Sequence, residues 1–311
     1  MLRRNALPIV LFAVLAVAPV AAVLLGEPHL LGVLTRVVIF ALAALSLDLI
    51  LGQGGLVSFG HAAFMGLGAY TAAILASHGV HDALVQLPAA LFVCTLFALA
   101  TGAICLRTEG VYFIMITLAF AQMAYFFTTS LSAYGGDDGL SLAARTTLLG
   151  APILDAASGL YAVSFSLLLG AYLLTRTVAV SRFGRVLRGI RQNRTRMEAI
   201  GFAPVRFQLA AYVLAGCLAG LSGVLLANQV GFVSPSLLSW QRSGELIVMV
   251  VLGGLGSLHG AVMGAALYIL LEDVLAEVSQ HWRIVFGPLL VLVALFARQG
   301  IAGLIERRRE P

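Results

Sequence analysis

The sequence predicts an all-α fold, a polytopic transmembrane helical bundle of about ten helices, and three observations carry that expectation. Hydrophobic residues make up 60% of the chain and charged residues only 11%, where a soluble domain carries about a quarter charged. The mean hydropathy is +1.01. Apolar runs of membrane-crossing length recur from end to end, and no polar block between them is large enough to fold separately. Residues 1–311 therefore read as a single transmembrane domain.

A hydrocarbon core about 30 Å thick takes roughly 17–25 helical residues to cross. Segments 7–25, 30–51, 84–106, 111–131, 160–177 and 207–227 meet that length with few charges. Segment 56–76 is rich in Gly and Ala, and the small residues Gly60, Ala62, Gly66 and Ala69 suit close helix packing. Segment 245–275 is interrupted by the run from Gly253 to Gly260, which splits it into two short helices. Segment 284–296 closes the set near the minimum length.

Orientation follows from arginine, because positive residues are retained on the cytoplasmic side. Arginines gather at Arg3-Arg4, between Arg176 and Arg206, and in the tail at Arg298 and Arg307-Arg308-Arg309. Placing all three inside requires even numbers of crossings, which six spans before the central Arg segment and four after it supply. Both termini are then cytoplasmic. The acidic, Gly-rich stretch from Tyr134 to Gly139 falls outside. The opening run, with Val20-Ala21-Ala22 behind it, also has the layout of a cleavable signal peptide; cleavage would break the parity, so an uncut span is expected.

Composition excludes several functions. The net charge is +5 and the pI about 9.4, yet every basic residue is Arg and none is Lys. A phosphate-binding GxxxxGK[ST] loop needs its Lys, so ATP hydrolysis must come from a partner. The arginines sit between apolar spans, which reads as loop charge and not as a nucleic-acid surface. Cys94, Cys105 and Cys217 fall inside spans without CxxC spacing or clustered His, which predicts buried packing and neither a disulfide scaffold nor a metal site. No Ser-His-Asp arrangement or HExxH motif points to a membrane enzyme.

Segment 178–206 is the most informative polar stretch. Phe183, Leu187 and Ile190 recur at helical spacing among arginines, which predicts an amphipathic helix at the membrane surface. Thr195 and Glu198 then stand in capping-box spacing, Gly201 suits a left-handed helix end, and Pro204 prevents continuation. A short helix over 196–200 results, with Met197 and Ile200 as a small apolar face for a cytoplasmic partner, the missing ATPase. A plain basic loop that only fixes topology is the alternative.

With those residues in view, the chain resembles the permease subunits of branched-chain amino acid ABC importers, of the LivM type. Three stretches carry the resemblance: Asp48 to Tyr70, the Arg segment through Glu198-Ala199-Ile200-Gly201, and Gly253 to Gly264. It implies a heteromeric importer in the bacterial inner membrane: two related permeases, two ATPase subunits and a periplasmic solute-binding protein. It also implies that ATP and Mg bind the partner ATPases, with no cofactor in this chain. The Glu-Ala-x-x-Gly coupling motif of such permeases looks like Glu198-Ala199-Ile200-Gly201-Phe202 here, with Gly at the fourth position, and the coupling residues it implies are Arg196, Met197, Glu198, Ala199, Ile200 and Gly201.

Gly52-Gln53-Gly54-Gly55 separates two apolar spans, and irregular backbone at membrane depth survives only where protein or water satisfies it. One reading is a broken helix lining a translocation path, with Gln53, Ser58 and His61 offering polar groups to a zwitterion and Asp48 deeper still; plain helix packing is the other. Glu245, Glu272 and Asp273 are expected near span ends, in solvent. Gly256, Ser257 and His259 are expected at the cytoplasmic ends of two helices, as part of an inner gate. Two alternatives stay open: a related permease for urea or short amides, and an ion-coupled secondary transporter, which usually displays more intramembrane carboxylates than Asp48.

Overall fold

The computed structural model describes residues 2–24, 26, 28–142, 144–148, 150–278, 286–288 and 300–307. Eleven helices are labelled in chain order: α1 Leu2–Leu24, α2 Pro28–Asp48, α3 His61–Ser77, α4 Ala83–Cys105, α5 Val111–Thr129, α6 Ala157–Val180, α7 Arg182–Gln192, α8 Arg194–Ala199, α9 Pro204–Val230, α10 Trp240–Gly253 and α11 Leu258–Val278. A further helical segment covers Gly300–Arg307. Among the described residues the strands amount to one two-residue pair, β1 Leu140–Ser141 against β2 Phe232–Val233. The protein is an all-α, multi-pass membrane protein.

Six described helices are long and apolar enough to cross a membrane: His29–Gln53, Ala83–Cys105, Val111–Thr129, Ala157–Val180, Pro204–Val230 and Leu258–Glu277. Leu7–Val20 and His61–Ser77 are apolar but shorter. The expected span over 284–296 lies, apart from residues 286–288, outside the described residues, as do Arg298, Arg308 and Arg309. The expected break after Gly253 is present, but only one side of it is short: α11 runs for 21 residues and α10 for 14.

Burial sorts the helices. In α2 and α9, 78% and 67% of the apolar stretch is buried, against 28% in α4 and in α5. The first two are the centre of the bundle. The outer helices present Phe92, Leu96, Tyr112, Met123 and Phe126 at their surfaces, which is the pattern of a lipid-facing wall. Contact between α3 and α9 is backbone-close. A Cβ at Gly68 would run into the Gly220 carbonyl, and one at Gly223 into the carbonyl of Met65, so small residues set this crossing.

Consecutive connections segregate to opposite ends of the bundle. At one end, His78 meets Tyr134 at 3.1 Å, Ala83 N–H donates to the Thr147 carbonyl at 2.8 Å, and Gln229 reaches the Gly32 carbonyl at 2.8 Å. This end holds the acidic stretch. The other end gathers Gly52 to Gly55, the α4–α5 turn with Glu109, α7, α8 and Gly253 to Gly256. α1 lies antiparallel to α6, since Phe12 stacks near Tyr172 while Tyr161 donates to the Leu15 carbonyl.

Before α10 the chain does not simply cross. From β2 it turns back into the bundle through Pro235–Leu238, where Leu238 packs on Gly66 of α3. Ser234 and Ser239 satisfy the freed backbone, accepting from Ser236 N–H at 3.3 Å and Arg242 N–H at 3.4 Å. α10 therefore starts at Trp240, five residues before the expected Glu245, and spans only about 21 Å.

The α3–α9 contact yields a first prediction. Gly223→Ala forces its Cβ onto a backbone carbonyl and should destabilise the detergent-solubilised protein by about 1–3 kcal/mol in a denaturant titration. Gly170→Ala in α6, whose Cβ meets nothing within 4 Å, should leave the midpoint unchanged.

Candidate functional site

α2 does not end cleanly at Asp48. It widens into a π turn, Leu49–Gln53, before Gly54 and Gly55 reverse the chain toward α3. On the opposite side, α10 ends at Gly253 and the backbone passes through Gly254 and Gly256 to α11. These two glycine turns touch. The buried Asp48 Oδ1 accepts from the Gly256 N–H at 2.8 Å, and Gln53 Nε2 donates to the Gly256 carbonyl at 3.1 Å. A Cβ at Gly52 would collide with the Asp48 carboxylate and the Gly256 backbone. Gly256 sits at φ +80°, where a side chain is strained. Two glycines are thus required for the contact.

The junction is clasped from α7. Ser181 caps this helix by accepting from Gly184 N–H at 3.3 Å, and Gly184, Leu187 and Ile190 are buried. Phe183 packs on Phe207 of α9 with centroids 5.6 Å apart, so the expected apolar face is the packed one. That face aims two arginines inward. Arg188 Nη1 donates to Gln53 Oε1 at 2.9 Å and to the Ala179 carbonyl at 2.8 Å; Arg191 Nη1 donates to the Gly52 carbonyl. The Arg191 stem also lies over Gly55.

α8 follows immediately, and its cap differs from the expected one. Asn193, in extended backbone at φ −161° and ψ 101°, caps it by accepting from Arg196 N–H at 2.8 Å. The helix thus begins at Arg194, two residues before the expected start. Glu198 is not free to close a capping box with Thr195, because Arg194 holds it at 3.2 Å while also pairing with Glu109 at 2.8 Å. Gly201 ends the turn as expected, at φ +97°, with its N–H donating to the Glu198 carbonyl at 2.9 Å. The two apolar residues separate. Met197 folds over Gly189 of α7, whereas Ile200 is 64% exposed beside Arg196 and Ala199.

Asp48, Ser58 and His61 are fully buried and Gln53 nearly so. His61 Nε2 lies 2.8 Å from Ser46 Oγ, joining α3 to α2, and Ser58 Oγ accepts from Gly60 N–H at 3.2 Å. Asp48 Oδ2 and His61 Nδ1 have no hydrogen-bond partner among the described residues. Ser257 Oγ accepts from Gly260 N–H at 3.3 Å and touches the His259 ring at 3.2 Å. The structure therefore unites Asp48, Gln53 and Gly256, leaves Ser58 and His61 on the α2–α3 seam, and puts Ser257 and His259 at the start of α11.

Arg188 and Arg191 are the residues that sequence reasoning passed over as loop charge. Their spacing of three, on the helix side that carries Leu187 and Ile190, is the signal that marks them. Glu245 and Glu272 are likewise not at solvated span ends: Glu245 pairs with Arg242 at 2.5 Å and Glu272 with Arg36 at 3.0 Å.

Residues 29–294 match the family described as branched-chain amino acid transport system / permease component. The chain is 25% identical over 291 residues to the high-affinity branched-chain amino acid transport system permease protein LivM of Salmonella typhimurium, covering 86% of this chain and 68% of that protein. It is 30% identical over 146 residues to BraD of Pseudomonas aeruginosa, a permease protein of the same description, over 46% of each chain. It is 29% identical over 216 residues to the autoinducer 2 import system permease protein LsrC of an Enterobacter strain, covering 65% of this chain and 62% of that one. No solved structure matches. A family match across nearly all the described bundle, together with the broken, glycine-joined helices at its centre, settles the assignment: the chain belongs to the permease-component family of branched-chain amino acid transport systems.

Proposed function

We propose that this chain forms the translocation path of an ATP-driven importer for branched-chain amino acids in the bacterial inner membrane. The observation that carries the reading is the double grip of Arg188 and Arg191 on the glycine junction, which ties segment 178–206 to the centre of the bundle. In this reading the Arg-rich end and both termini are cytoplasmic, and the acidic end faces outward. About ten crossings satisfy that parity, counting the span expected over 284–296. One membrane domain, 1–311, contains them all.

The partners are a second related permease, two cytoplasmic ATPase subunits that bind ATP and Mg, and a periplasmic solute-binding protein. The docking surface on the ATPase side is α8 and its exit turn: Arg196, Met197, Glu198, Ala199, Ile200 and Gly201. Ile200 is the apolar contact, and Met197 stiffens α8 against α7. Gly256, with Ser257 and His259 behind it, is the inner gate. Asp48, Gln53, Ser58 and His61 lie on its wall and meet solute only when the junction opens. Their burial in the present conformation corresponds to a path closed at the cytoplasmic end.

Purification in mild detergent followed by reconstitution tests the reading. Stoichiometric recovery of an ATPase and a second permease, with ATP-dependent uptake of leucine after ion gradients are collapsed, is the expected result. Uptake by this chain alone would overturn it. Resemblance to permeases for another solute makes competition by other small solutes a necessary control.

Two variants probe the coupling. Ile200→Asp should reduce ATPase copurification and leucine uptake at least about tenfold while the chain still reaches the membrane. Arg188→Ala combined with Arg191→Ala should leave ATPase binding intact but uncouple it, so that hydrolysis continues and uptake falls. Asp48→Ala leaves the part-buried Gly256 N–H without its acceptor, a loss of about 1 kcal/mol. Its expected phenotype is solute leak without ATP, measured as efflux from loaded vesicles.

A further inference from the structure

Four charged side chains from three helices meet within the bundle. Arg36 of α2 pairs with Glu272 of α11 at 3.0 Å, and Arg242 pairs with Glu245, both on α10, at 2.5 Å. The guanidinium groups of Arg36 and Arg242 lie 5.8 Å and 5.7 Å from the centroid of one ring, Phe40, so the two pairs are neighbours. Tyr268 is within electrostatic reach of all four charges. Arg36 precedes Asp48 by twelve positions and Arg242 precedes Gly253 by eleven. At 1.5 Å per residue both lie about 17 Å along their helices from the junction, and Arg36 falls inside the membrane-crossing stretch His29–Gln53.

Charge within a membrane span is expensive and marks a polar cavity, a partner or a path. The two pairs differ in what they explain. Arg36–Glu272 joins α2 to α11 and accounts for itself as a bridge between helices. Arg242–Glu245 spans three residues of one helix, and among the described residues only the Arg242 guanidinium, over the Phe40 ring, carries it toward α2. Its side chains stay 26% and 33% exposed, and the adjoining Trp240 and Gln241 are exposed as well. α10 thus keeps a partly exposed ion pair whose two members lie on the same helix.

We propose that Arg242 and Glu245 are the recognition pair for the zwitterionic head of an amino acid in the translocation path. Arg242 receives the α-carboxylate, Glu245 receives the α-ammonium, and Trp240 offers its ring to an apolar side chain. Paired with each other, Arg242 and Glu245 neutralise both charges, and solute exchanges into the pair. Arg36 and Glu272 hold the rear of the site through Phe40. This inference deepens the importer reading and rests on it, placing the solute about 17 Å along α10 from the glycine junction.

The test uses the complete reconstituted complex and leucine as probe. Arg242→Gln and Glu245→Gln should each lower the initial uptake rate at least about tenfold, with subunit assembly and basal ATP hydrolysis unchanged. The exchange Arg242→Glu with Glu245→Arg restores an intrahelical pair but reverses its polarity, so uptake should stay low. Recovery to within about twofold by that exchange would make the pair structural and overturn the proposal. Gln241→Cys covers the case in which the exchange fails to assemble. A charged, water-soluble thiol reagent should modify it above the background of the native cysteines and block uptake, and an unreactive Gln241→Cys would place this face in lipid or in a sealed interface, overturning the proposal. If the wild-type complex shows no ATP-driven leucine uptake, the importer reading falls first and takes the site with it.

Discussion

A carboxylate buried at the end of an apolar helix needs a donor, and at Asp48 the donor is a backbone N–H on the far side of the bundle. The Gly256 N–H at 2.8 Å fixes the distance between two turns, and everything nearby is arranged around that contact. Gly52 is glycine because a methyl group would occupy the space of the bond itself. The π turn after Asp48 follows from the same need, since a regular helix would carry Gly52 and Gln53 off the shared face. Gln53 can then serve both sides, donating to Gly256 and accepting from Arg188. Asp48 and Gln53 are buried, so loss of their partners leaves a polar group with little access to water.

The pattern of the sequence was sufficient for the parts that depend on local chemistry. Apolar runs bounded by Gly, Pro and charge locate α2 to α6 and α9 within a few residues, because length and hydropathy decide a membrane span almost alone. The amphipathic α7 and the left-handed Gly201 were legible for the same reason. Non-local chemistry was not. Asp48 and Gly256 stand 208 positions apart, and nothing near either announces the other. At α8 the misreading was a competition between caps: Thr195 and Glu198 have the right spacing, but Arg194 takes the carboxylate and Asn193 takes the N-cap two residues earlier. The start of α10 was hidden by Pro235–Leu238, a buried turn whose depth only the packing of Leu238 on Gly66 reveals.

The candidate site divides the same way. Gln53, Asp48 and Gly256 were recognisable as unusual at membrane depth, yet their meeting was not. Arg188 and Arg191 looked like topology charge because positive residues beside a membrane have that default use. Their fixed guanidinium forks make them more than charge. Arg188 directs Nη1 at both a glutamine oxygen and a carbonyl, and Arg191 directs Nη1 at the Gly52 carbonyl, so both act through placed hydrogen bonds.

Movement of α8 has two routes into the bundle, and their strengths are unequal. One runs through Arg194 to Glu109 on the α4–α5 turn, an ion pair whose glutamate is 65% exposed. Pairs of that kind contribute about 0–1 kcal/mol. The other runs through Asn193 into α7, whose Arg188 makes two part-buried hydrogen bonds while the buried Leu187 and Ile190 anchor the same side of the helix. Hydrogen bonds from a charged donor are worth about 1.5–3 kcal/mol each, and the buried Leu187 adds about 1.5–3 kcal/mol. A displacement applied at α8 would therefore break the Glu109 contact before it broke the grip on Gln53. Of the two, the path from α8 through α7 to the glycine junction is the stiffer.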